Sequence, residues 1–122
     1  MKILYIEDSP SNRLLVSRIL SVEGCEVLEA EDGVRGLELA AEEHPDLILM
    51  DMNLPDVDGY ELTRRVRANP DLADIPVVAM TANVMHGDRE KSLEAGCVGY
   101  IPKPIDVDAL PDQVAHFAKV KP

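Results

Sequence analysis

The sequence predicts a doubly wound α/β domain in which five β-α units surround a parallel sheet of strand order 2-1-3-4-5. Short apolar runs recur at Lys2–Ile6, Glu26–Glu29, Leu47–Met50, Val77–Met80 and Gly99–Ile101, lengths that suit strands better than helices. Longer stretches with apolar residues at helical spacing separate them, giving a β-α-β-α alternation. Leu47–Met50 and Pro76–Met80 are apolar almost throughout, as strands are when helices cover both faces of a parallel sheet.

After the first strand, Ser11 is a candidate cap before Leu14, Leu15, Ile19 and Leu20, and Gly24 ends the first helix. A second helix covers about Val34 to Glu43 and stops before Pro45. The third comes after Gly59, with Leu62 and Val66 on its inner face, and a fourth runs from Asp88 to Ala95. The last spans about Asp108 to Lys119, with Pro111 in its first turn, where a missing N–H costs little. Right-handed crossovers make a flavodoxin-like (βα)5 sandwich the simplest arrangement of these pieces, and ligands of such folds bind beyond the carboxyl ends of the strands.

A chain of 122 residues fits one domain and leaves no room for a second. Its 12 basic and 23 acidic residues give a net charge of -11, which repels phosphate backbones and anionic lipid, so no nucleic acid and no membrane surface is expected as a partner. A protein partner is expected instead. No apolar stretch approaches the roughly 20 residues of a membrane span, and Met1-Lys2 runs into a strand without a signal-peptide pattern, so a cytoplasmic location is expected. Cys25 and Cys97 have neither metal-ligand nor redox spacing and read as structural thiols. His44, His86 and His116 read as solvent-facing or packing residues, and the scattered glycines form no phosphate loop.

The strand ends carry Glu7 and Asp8, then Asp51 with Asn53, then Thr81 with Ala82, and finally Lys103 before Pro104. Alone, Glu7-Asp8 would be a solvated strand end, Thr81 a β-branched residue closing a strand, and Lys103-Pro104 an ordinary turn. Together they bring three carboxylates and an ammonium to one edge of the sheet. Like charges that close repel and hold on to protons, and a divalent, oxygen-seeking cation relieves them.

These residues, with Pro55, Gly59 and the Tyr100-Ile101-x-Lys103-Pro104 ending, resemble the signature of the receiver domains of two-component response regulators, over essentially the whole chain. The resemblance implies that Asp51 accepts a phosphoryl group from a histidine kinase or histidine phosphotransfer protein. It implies Mg²⁺ held by Asp8, Asp51 and the backbone carbonyl of Asn53, with Glu7 acting through a water. Lys103 and Thr81 would contact the phosphoryl group, and Thr81 with Tyr100 would form the switch. Ala82 would leave the phosphoryl group accessible, while Asn53 and Asn83 would affect its lifetime. The chain would then be a signalling switch and not an enzyme, with residues 1–122 forming one receiver and no output domain. It would reach a protein target through the face of the fourth helix, fifth strand and fifth helix.

The stretch 71–78 and Met85-His86-Gly87-Asp88 resemble single-domain receivers of the DivK type and receivers within hybrid histidine kinases. Two rivals share parts of the pattern. A haloacid-dehalogenase-type phosphatase places its nucleophilic Asp after the first strand and a second Asp two residues on, whereas here Asp51 closes the third strand and Asn53 stands second. A flavodoxin-like FMN carrier needs a phosphate loop where Glu7-Asp8 lies, and one Phe, three Tyr and no Trp leave little to stack on a flavin.

Overall fold

The computed structural model describes residues 1–82 and 87–122, and of Asp88 only the backbone. Asn83 and His86 therefore lie outside the described residues. The chain runs β1 (Lys2–Ile6), α1 (Pro10–Val22), β2 (Glu26–Ala30), α2 (Gly33–Glu43), β3 (Leu47–Asp51), α3 (Gly59–Ala68), β4 (Val77–Thr81), α4 (Asp88–Ala95), β5 (Gly99–Pro102) and α5 (Leu110–Phe117). All neighbouring strands pair in parallel, in the order β2-β1-β3-β4-β5. The expected flavodoxin-like arrangement is the one observed.

Strand alternation splits the interior into two layers. Ile3, Tyr5, Leu47, Leu49, Val78, Met80 and Ile101 meet Val16 and Leu20 of α1 and Leu110 and Val114 of α5. On the other face Leu4, Ile6, Ile48, Met50, Val77 and Ala79 meet Leu39 and Ala40 of α2 and Leu62 and Val66 of α3. Every residue of β3 and β4 is buried, in keeping with their continuous apolarity.

Two helix boundaries differ from expectation. Ser9, not Ser11, caps α1, its Oγ accepting from the backbone N–H of Asn12 at 3.3 Å. Pro10 opens that helix because its absent N–H would have lacked a helical partner anyway. Helix α5 is shorter than the predicted Asp108–Lys119, because Asp106 Oδ1 accepts from the N–H groups of Asp108 and Ala109 and holds them in a turn before Leu110. Cys25 and Cys97 are free thiols, half-buried and buried. His44 caps the end of α2 in the left-handed region (φ 48°), its ring bonded to the carbonyl of Asp71, and His116 is exposed beside Phe117.

Two tethers hold the loops around the carboxyl edge. Gly59 opens α3 so close to β3 that a Cβ there would stand 2.7 Å from Met52 Cα, leaving glycine as the residue that fits. Asp56 accepts from the N–H groups of Gly33 and Val34 at 2.8 and 3.0 Å, tying the β3–α3 loop to the positive end of α2.

Candidate functional site

Strand parity builds the site. Glu7, Asp51 and Lys103 each continue the β1, β3 and β5 positions that face α1 and α5. The sheet order makes β1 and β3 neighbours, so Glu7 and Asp51 reach the same edge. Lys103 arrives from beyond β5, its N–H donating to the carbonyl of Thr81 at 2.8 Å; the Lys103–Pro104 peptide is cis. Lys103 Nζ lies 3.0 Å from Glu7 Oε1 and 3.2 Å from Asp51 Oδ1. Asp8 is exposed above them, and one carboxylate oxygen from each of Glu7, Asp8 and Asp51 falls within 4.8 Å of the others.

Both Glu7 and Asp51 are all but fully buried. Burial, then the hydrogen bond with Glu7, push the Asp51 carboxyl up to about 6, against the N–H of Asn53 (3.1 Å from Oδ1) and the charge of Lys103. Burial alone would raise Glu7 too, but its bonds with Asp51, Asn12 and Lys103 bring it down to about 2. Of the two, Asp51 is therefore the one that takes up a proton first as pH falls, while Glu7 stays ionised. Lys103 is held above the ordinary lysine range, because the Glu7 and Asp51 carboxylates outweigh its own burial.

Three carboxylates facing one ammonium leave a surplus of negative charge, and every clustered donor is a hard oxygen. That set fits a magnesium-like ion, which takes a few carboxylates and keeps its waters.

The other expected residues fall around this centre. Thr81 is buried at the end of β4, and Ala82 next to it is exposed. Tyr100 is half-buried against the α2–α3 layer, with the Arg89 guanidinium 5.7 Å from its ring centroid. Thr81 and Tyr100 share that face, since Tyr100 pairs with Ala79, two residues before Thr81 on the same strand. Asn53 is exposed and contributes its N–H to Asp51.

Tyr5 and Asn12 also contact the site, although no motif singles them out. The Tyr5 hydroxyl donates to Glu7 Oε1 at 3.3 Å and Asn12 Nδ2 donates to the same oxygen at 2.8 Å. Arg13 adds a bond from Nη1 to the Glu7 carbonyl at 2.6 Å. The signals available in sequence are the i, i+2 spacing of Tyr5 and Glu7 on one strand face and the place of Asn12 in the first turn of a helix.

A doubly wound parallel sheet with clustered acids and a lysine at its carboxyl edge defines a class of cation- and phosphate-handling α/β domains. Within it, this chain belongs to the response regulator receiver domain family, whose model matches residues 3–115. It is 42% identical over 115 residues to the polar-differentiation response regulator DivK of Brucella ovis, covering 94% of each chain. In three dimensions it is similar to the receiver domain of sensor histidine kinase PA1611 from Pseudomonas aeruginosa PAO1, a structure with a magnesium ion coordinated in the active-site cleft (TM-score 0.89, 35% identity, 98% of each chain). Chemotaxis response regulator CheY4 of Vibrio cholerae is similar as well (TM-score 0.90, 28% identity, 95% of this chain and 97% of that one). Receivers are phosphorylation-dependent signalling switches and not turnover enzymes. Among the described residues, no helix is long and apolar enough to cross a membrane.

Proposed function

We propose that this chain is a free-standing signalling switch that takes a phosphoryl group from a histidine kinase or histidine phosphotransfer protein onto Asp51, with Mg²⁺, and changes its α4-β5-α5 surface in response. The observation that carries this is the Lys103 ammonium bridging two buried carboxylates, one from β1 and one from β3. A structural ion pair has no need of the second acid. A phosphoacceptor site needs one acid as nucleophile and others for the cation.

A carboxylate oxygen of Asp51 attacks phosphorus in line, forming an oxygen–phosphorus bond while the phosphorus–nitrogen bond of the partner's phosphohistidine breaks. With its other ring nitrogen protonated, the imidazole takes that electron pair and leaves neutral. Asp8, Asp51 and the Asn53 carbonyl would hold Mg²⁺, with Glu7 reaching it through a water, and the ion would supply Lewis-acid charge neutralisation. Lys103 shifts its charge from the Asp51 carboxylate to a phosphoryl oxygen. The Thr81 hydroxyl turns to a second oxygen, and Ala82 is too small to shield the group from the partner's histidine. Tyr100 leaves Arg89 and packs inward behind Thr81, so the phosphate biases two states of the α4-β5-α5 face toward one.

Asn53 and Asn83 provide no strong general base, so self-dephosphorylation is slow to intermediate; loss of the phosphoryl group within seconds would refute this. Similarity to the DivK response regulator favours the free-standing reading. Similarity to the PA1611 kinase receiver favours a second reading, a receiver module of a hybrid kinase.

The test is incubation with acetyl phosphate and Mg²⁺ and then mass spectrometry. An acid-labile gain of one phosphoryl group is expected on the wild type and not on Asp51→Asn. Sustained hydrolysis of small phosphate esters would favour a phosphatase instead. Phosphotransfer profiling with the host's kinases, and pull-downs in both phosphorylation states, would distinguish the two placements of the domain.

A further inference from the structure

The proposed phosphotransfer chemistry leaves Tyr5 and Asn12 without a task, yet both are committed to Glu7. Tyr5 is completely buried in β1, and strand alternation puts it on the same face as Glu7, two residues on. Asn12 stands in the first turn of α1, where the Ser9 cap and Pro10 fix the helix start and aim the amide back over the end of β1. Glu7 Oε1 accepts from Asn12 Nδ2 at 2.8 Å, Lys103 Nζ at 3.0 Å and Tyr5 Oη at 3.3 Å. Arg13, next to Asn12, fixes the Glu7 main chain through its carbonyl. The acid is therefore gripped from β1, from α1 and from the segment after β5.

Three donors on one oxygen exceed what a salt bridge requires. Lys103 already divides its charge between Glu7 and Asp51, and phosphoryl transfer calls on it a third time. A buried carboxylate abandoned by its only cation is costly, so an acid held by Lys103 alone would hold the lysine back. Two neutral donors remove that constraint, because they remain when the ammonium turns away.

We propose that Tyr5 and Asn12 are positioning residues that hold Glu7 Oε1 independently of Lys103, setting the affinity of the site for Mg²⁺ and releasing Lys103 to the phosphoryl group. This rests on the phosphoacceptor reading, in which Glu7 serves the cation through a water. Neutral groups around a ligand shell commonly tune metal sites in this way.

The test compares wild type, Tyr5→Phe, Asn12→Ala and the double variant with His44→Ala, which removes a bond at the opposite end of the sheet. Mg²⁺ dissociation constants come from calorimetry and phosphorylation rates from acetyl phosphate at saturating Mg²⁺. Each single variant is expected to weaken Mg²⁺ binding about 3- to 10-fold, the range one hydrogen bond provides. The double variant is expected also to slow phosphorylation at saturating Mg²⁺, since Lys103 is then pinned to Glu7. His44→Ala, though less stable, should change neither quantity. Unchanged Mg²⁺ affinity in both single variants overturns this proposal while the phosphoacceptor reading stands. A wild type that binds no Mg²⁺ overturns both.

Discussion

Replacing Asp51 by Asn should make the protein more stable while removing its proposed phosphoacceptor. The Asp51 carboxyl sits at about 6 in the fold against 3.8 for a free side chain, roughly two units, which at about 1.4 kcal/mol per unit opposes folding by about 3 kcal/mol near neutral pH. The sign comes from proton binding: the folded state holds the proton more tightly, so stability falls as pH rises from about 4 through about 6, and the full cost applies above that. Asn keeps the volume and can still accept from the N–H of Asn53, but Lys103 loses one of its two partners. A net gain of about 1–2 kcal/mol is expected, or roughly 3–7 °C in melting temperature for a domain of this size. Urea unfolding of both proteins in chelator, at neutral pH and again near pH 4 where the gain should vanish, measures it. Mg²⁺ should raise the wild type and narrow the gap, because it neutralises the charge that the buried Asp51 carboxylate carries at that pH. An Asp51→Asn protein less stable than wild type at neutral pH, or a gap insensitive to pH, would refute the reasoning.

Lys103→Met should abolish phosphorylation by acetyl phosphate and cost about 3–5 kcal/mol, since it leaves Glu7 and Asp51 buried without their ammonium; denaturant titration should show part of that loss recovered in Lys103→Met/Asp51→Asn. Arg67 donates to the carbonyls of Gly96 and Ala73 at 2.9 and 2.6 Å and to that of Ile75, so Arg67→Ala should cost about 2–4 kcal/mol by unfolding while leaving the calorimetric Mg²⁺ affinity unchanged. The Asp56 carboxyl lies below its ordinary range because the N–H groups of Gly33 and Val34 outweigh its slight burial. Its contribution is therefore present above the free carboxyl range and lost as pH falls through the depressed value. Asp56→Ala should speed hydrogen exchange at Gly33 and Val34 at neutral pH.

Much of the fold and site is legible because parallel strands advertise themselves. Leu47–Met50 and Val77–Met80 are apolar on both faces, and the polar residue that closes such a run must stand at the carboxyl edge, which picks out Asp51 and Thr81 from sequence alone. The cap of α1 lies two residues before the expected one because Ser9 and Ser11 are equally good caps; Pro10 is the deciding signal, since proline suits a first helical turn and not the residue before a cap. Tyr5 is hidden by its surroundings. Inside an apolar strand a tyrosine reads as bulk, and its hydroxyl acquires meaning once Glu7 is known to lie above it. Asn12 and Arg67 are hidden for the opposite reason, as polar residues on helices whose facing elements periodicity does not reveal.

The clasp between Lys103 and Glu7 joins residues 96 positions apart, so the counter-charge of the acid cluster is the last part of the site to be synthesised. Glu7, Asp8 and Asp51 all precede it along the chain, and the ammonium comes only after β5. Until then the acid cluster lacks its ammonium, and on the phosphoacceptor reading the site is incomplete. On that reading, phosphoryl acceptance is tied to a completed fifth strand.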